Sequence, residues 1–212
     1  MRSGLLSNRA SKSVATLLFA LCSFSAWSAD ETTQAIWKPI DTVFTYSGFT
    51  SYYSCDGLAD RVRDVLRQLG ARNLRVYGLG CGPSSIGPTV IPSVRIMGEI
   101  PVAATPEAMT EVAEAREQHI KGGNTAKAGS APPAEFTAIR HTVTLSNRRD
   151  VGIETGDCEL LEQLKGRLFP EIGVKVISTN LHCTPHQVDI ATKTMEVETL
   201  TPMNKAVAEA TP

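Results

Sequence analysis

The chain has 212 residues, with 21 basic and 22 acidic side chains, a formal net charge of −1 and 42% hydrophobic content. That length and apolar fraction suffice for one real core. The balanced, slightly acidic charge argues against nucleic acid and anionic membrane surfaces as partners, since both call for basic patches.

In chain order, residues 1–29 have the form of a cleavable secretory signal. Arg2, Arg9 and Lys12 precede an apolar stretch over residues 13–27, and Ala26, Ser28 and Ala29 offer a cleavage site. The stretch is shorter than the ~20 residues needed to span a bilayer. Cys22 follows Leu21, whereas a lipoprotein signal wants a small residue there. Losing the three basic residues of the signal would take the charge from −1 to −4. The expected product is soluble, periplasmic or secreted, with no membrane span after cleavage.

Export gives the remaining cysteines meaning, because thiols pair in an oxidising compartment. Cys55, Cys81, Cys158 and Cys183 bracket two similar stretches, 54–81 and 157–183. Each opens on an N-cap residue, Ser54 or Asp157, with Asp56 or Glu159 in the first turn where the helix dipole favours an acid. Apolar residues then recur at helical spacing: Leu58, Val62, Val65, Leu66 and Leu69 in one, Leu161, Leu164, Leu168 and Ile172 in the other. Gly70 and Gly173 suit the helix ends, and Pro170 is expected to stop the second helix a turn early. Strand-type runs follow, Leu74–Tyr77 and Val174–Ile177, each closed by a cysteine.

Flanking runs extend both copies. Thr42–Tyr46 and Ile139–Leu145 precede them as strands, and Ser93–Val102 and Gln187–Val197 follow. The fold class expected is therefore α+β, with two repeated β-α-β-β units, each clamped by one disulfide. The halves cover 30–104 and 136–199, joined by a short helix and flexible linker over 105–135, with a disordered tail over 200–212. If the strands around each helix run parallel, the helix start and the returning strand's end share a sheet edge. Cys55–Cys81 and Cys158–Cys183 are then the expected bridges. A ferredoxin-like sandwich is one way to share the sheet. In it the strands before the two helices run antiparallel, and the Tyr52/Tyr53 loop and the His182/His186 turn face opposite edges.

The search for chemistry excludes more than it finds. No C-x-x-C or Gly-x-Ser-x-Gly is present. Gly78–Gly82 is followed by prolines rather than the helix that a phosphate loop needs. Arg148-Arg149-Asp150 reads as a solvated turn, and capping accounts for Asp157 and Glu159, leaving no acid/base pair with Glu154. His182 and His186 flank Cys183 like metal ligands, but using Cys183 would strand Cys158, and His119 or His141 would be a distant third. Tyr46, Phe49, Tyr52 and Tyr53 form the remaining candidate, an aromatic loop whose first expectation is that two or three rings pack inward over the adjacent disulfide, with peptide or sugar contact as the alternative. The functional expectation is a non-enzymatic binding or structural role in the bacterial envelope or outside the cell, toward a protein, peptide or glycan, with no cofactor. An enzyme or metal-binding protein using the His182/His186 turn is the alternative.

Overall fold

The computed structural model describes residues 32–80, 91–121, 133–146, 154–187 and 192–203. The expected signal, most of the linker, Cys81, Arg148–Asp150 and residues 204–212 lie outside them. Among the described residues no helix is long and apolar enough to cross a membrane.

Strand β1 spans Thr32–Thr45, well beyond the Thr42–Tyr46 run that its composition suggests. Pro39 hides the extension in the sequence, because proline lacks the N–H of a ladder. β1 tolerates it since its pairing with β4 (Glu135–Ser146) covers only Thr32↔Ile139 to Ile36↔Glu135. Beyond Ile36 the one neighbour of β1 is β3 (Ser93–Ala103), antiparallel over its whole length.

Helix α1 covers Cys55–Gln68 and starts as expected, with the Ser54 hydroxyl accepting the Gly57 N–H at 3.1 Å. Strand β2 (Arg72–Leu79) pairs antiparallel with β3. Helix α2 (Pro106–Lys121) connects to β4. A 3₁₀ turn, Thr155–Asp157, leads into α3 (Cys158–Gln163), a turn of π-helix (Leu164–Leu168) and α4 (Phe169–Ile172). Strands β5 (Val176–Asn180) and β6 (Thr194–Pro202) close the fold. β6 thus runs into the span expected as a tail, and Leu200 is buried.

Pro170 does not stop the second helix. The chain stays helical to Ile172 and ends at Gly173, which takes the left-handed φ of 82° that favours glycine. Pro170 cannot donate to the carbonyl four residues back, and its ring would crowd that turn. The chain widens just before it instead, and the Phe169 N–H donates five residues back to the Leu164 carbonyl.

One six-stranded sheet runs in the order β2-β3-β1-β4-β6-β5, with every neighbouring pair antiparallel. Because β1 and β2 are both antiparallel to β3, they are parallel to each other, and the same holds for β4 and β5 through β6. The β-α-β-β order recurs in the two halves, and so does a one-residue register shift in the edge strands, between Arg72 and Arg75 in β2 and between Val176 and Ser178 in β5. Disulfide Cys158–Cys183 is present, with Cα atoms 5.7 Å apart, joining helix start to strand end. Cys55 is also disulfide-bonded, and its expected partner Cys81 lies outside the described residues.

Both helical segments pack on one face of this sheet into one core. It includes Phe44, Leu58, Val62 and Leu66 from the first half and Leu161, Leu164, Phe169 and Val197 from the second. The short β1–β4 seam lets the halves turn toward each other, so β3 and β6 come close. The Thr199 hydroxyl donates to the Leu69 carbonyl at 2.8 Å across that approach.

Candidate functional site

The aromatic loop follows from strand alternation. Ile40 and Phe44 point from β1 into the core, and Tyr46 continues their phase just past its end. Tyr46 is 1% and Tyr53 8% exposed, their rings meeting edge-to-face with centroids 4.9 Å apart. Phe49 and Tyr52 point the other way, 60% and 57% exposed. The four aromatics thus divide into an inward pair and an outward pair.

Buried phenols need hydrogen-bond partners, and the second half supplies them. The Tyr46 hydroxyl donates to Glu159 Oε2 at 3.3 Å, and the Tyr53 hydroxyl donates to Asp157 Oδ1. Glu159 Oε2 also accepts the backbone N–H of Phe49 at 2.7 Å and of Thr50 at 2.8 Å, while Oε1 accepts the Thr50 hydroxyl at 3.0 Å. One turn further along, Gln163 Oε1 accepts the Ser47 N–H at 3.0 Å. The Ser51 hydroxyl donates to the Gly156 carbonyl at 2.7 Å. Asp157 Oδ2 accepts the Glu154 N–H at 2.7 Å, and Arg61 of α1 pairs with Glu154 and lies 3.7 Å from Asp157. Gly48 is required by this closeness, since a Cβ there would sit 1.8 Å from the Tyr46 hydroxyl and 2.6 Å from Glu159 Oε2.

Expectation and structure part company over the two acids. Asp157 does not cap α3 with its side chain; it closes a reciprocal box with Glu154 around the preceding 3₁₀ turn. Glu159 serves the loop rather than its own helix. An acid in the first turn of a helix is satisfied by the dipole alone, so nothing in that position marks Glu159 as a partner of another segment. The available signal was the pairing of Glu159 with Gln163, one helical turn apart beside a run of buried leucines.

The electrostatics follow from burial and donors. Burial pushes both phenols far above the ordinary tyrosine range, and the carboxylates beside them push the same way. Burial also raises Asp157, and the bonds from Glu154 and Tyr53 and the nearby Arg61 only partly offset it. For Glu159 the balance reverses. Burial pushes it up, but the Thr50 and Phe49 amides, with the Thr50 and Tyr46 hydroxyls, hold it below the usual carboxylate range.

The histidine turn meets this loop, contrary to the expectation of opposite edges. β1 and β4 do run antiparallel, but the turning of the halves brings the ring of His186 to 5.5 Å from that of Phe49. His186 takes a left-handed φ of 64°. His182 is exposed, and its carbonyl accepts Lys193 Nζ at 2.8 Å. Cys183 is committed to its bridge, His141 is exposed on β4, and the side chain of His119 lies outside the described part. Among the described residues no three His, Cys, Asp or Glu side chains converge to hold a metal ion.

No protein-family model, no curated protein and no solved structure matches this chain. The geometry alone speaks for the site: an aromatic edge on a loop of the first half, fixed in place by carboxylates of the second.

Proposed function

We propose that this is an exported, non-enzymatic protein, built from two copies of a β-α-β-β unit, that binds a protein, peptide or glycan of the bacterial envelope or its surroundings through the edge carrying Phe49 and Tyr52. The observation that supports this reading most is the exposure of both rings, 60% and 57%, on a backbone tied down by Glu159. Exposed aromatics on a fixed loop offer large contact area while losing little freedom on binding. The basic N-terminus with its apolar stretch and the disulfide bonding are consistent with export.

The enzyme or metal reading draws on the approach of His186 to Phe49. One experiment separates the two. The full mature chain is screened against immobilised envelope glycans and peptides, beside Phe49→Ala, Tyr52→Ala and His186→Ala. The expected result is a ligand whose affinity falls about 30-fold in either aromatic variant, the size of an interface hot spot, at unchanged melting temperature. Binding that survives both aromatic variants but needs His186 and added zinc overturns it in favour of the metal reading.

A further inference from the structure

The loop carrying the exposed rings is held at two points, and the holds differ in kind. At its middle, Glu159 receives four donors: the Phe49 and Thr50 amides and the Thr50 and Tyr46 hydroxyls. All four use lone pairs of its carboxylate, and the Phe49 and Thr50 amides share the single oxygen Oε2 with the Tyr46 hydroxyl. At its end, Tyr53 is held by Asp157, which receives one phenol and one amide in a buried place.

We propose that the 46–53 loop is a two-point latch that acid opens at one point only: protonation of Glu159 frees the Phe49–Thr50 tip while Tyr53 stays pinned to Asp157. This goes beyond the binding proposal and stands whether or not the edge has a ligand. A proton on Glu159 Oε2 would face the N–H groups of Phe49 and Thr50, which are donors themselves, and a proton on Oε1 would leave those amides only the weaker bonds of a neutral carbonyl oxygen. A proton on Asp157 Oδ2 opposes only the Glu154 N–H and leaves Oδ1 as the carbonyl oxygen that still accepts from Tyr53.

The signs agree with this division. Glu159 is held below its ordinary range, so its contribution is complete above that range and is lost as pH falls through the lowered value. Asp157 is raised by burial, so its protonated form is favoured by the fold; that contribution is present at low pH and is lost as pH rises through the raised value. Acid therefore weakens the first hold and not the second. The other titratable groups around the latch are Glu154 on the same segment, Arg61 from α1, Tyr46 and Tyr53 from the loop itself, and His186, whose ring touches Phe49. Arg167, from the π-helical turn, donates to the Thr45 carbonyl where the loop begins.

Amide NMR of the full mature chain, titrated from pH 7 to pH 2.5, tests this. The Phe49 and Thr50 signals are expected to lose their carboxylate-bonded downfield shift together, with one midpoint below the usual glutamate range and before the α1 amides change. The Tyr53 ring signals are expected to hold through that step. In Glu159→Gln the pH-dependent step should vanish. In Thr50→Ala, which removes one hydroxyl donor, the Phe49 step should move to higher pH, so the idea remains testable if Glu159→Gln fails to fold. Two results overturn it: Phe49, Thr50 and α1 amides changing only together at global unfolding, or Tyr53 released in the same step as Phe49.

Discussion

The two β-α-β-β halves share strand order, edge-strand register shift and helix position, yet they begin their helices in opposite ways. In the first half Ser54 caps α1 locally, using one hydroxyl and one amide three residues on. In the second, Asp157 and Glu159 sit at the matching place and reach across the molecule to Tyr53, Tyr46, Phe49 and Thr50. The Ser54 side chain serves its own helix, whereas Asp157 and Glu159 join the halves. The comparison teaches that similar sequence positions can put a helix in the same place without fixing what the side chains at its start hold. A polar group at a helix start has the N-terminal amides as its default partners, and it serves another segment only when the tertiary fold brings stronger or more numerous donors to it.

Three variants break or sharpen this comparison, in descending order of effect. Replacing both Cys158 and Cys183 with Ser reopens a loop with sequence separation 25 and should cost about 3.5 kcal/mol in denaturant unfolding. A cost under about 1 kcal/mol would mean that the rest of the second half already fixes helix start and strand end. Asp157→Ala leaves the Tyr53 hydroxyl and the Glu154 amide without their carboxylate and takes a counter-charge from Arg61. The expected loss is about 3 kcal/mol, because breaking a buried charged network strands its partners. Ser54→Ala removes a local cap only and should cost about 1 kcal/mol by the same measurement. If the last two losses were equal, the contrast between a self-contained and a joining helix start would fail.

Much of the fold was legible. The helices announced themselves through caps, periodic leucines and valines, and terminal glycines. Strands rich in β-branched residues gave the middle of β4, the cysteine spacing pointed to Cys158–Cys183, and β6 was read too early, over Gln187–Val197 where the strand runs Thr194–Pro202. The misses have physical causes. Pro39 reads as a strand breaker, yet it lies on β1 past the point where β4 stops pairing, so no described strand on that side calls for the N–H that proline lacks. Pro170 reads as a helix end, yet a single π turn absorbs it. The meeting of the aromatic loop with the His182/His186 turn depends on how far two halves joined by a short seam turn toward each other, and no local residue pattern encodes that. The division of the aromatics could be half-read, since Tyr46 lies in phase with Phe44. The role of Tyr53 could not, because its partner is 104 residues away.

The one-residue register shifts in β2 and β5 have a consequence for the molecule among its neighbours. Among the described residues these strands are the outer two of the sheet, where the N–H and C=O groups of an edge can offer a template to another chain. A shift sharpens the local twist and interrupts the straight row of donors and acceptors; in β2, Asn73 adds a left-handed φ of 53° at the same place. A second molecule laid along either edge would lose register within a few residues. Both edges of the sheet thus carry the kind of interruption that works against edge-to-edge pairing, a useful property for any chain that folds among others of its kind.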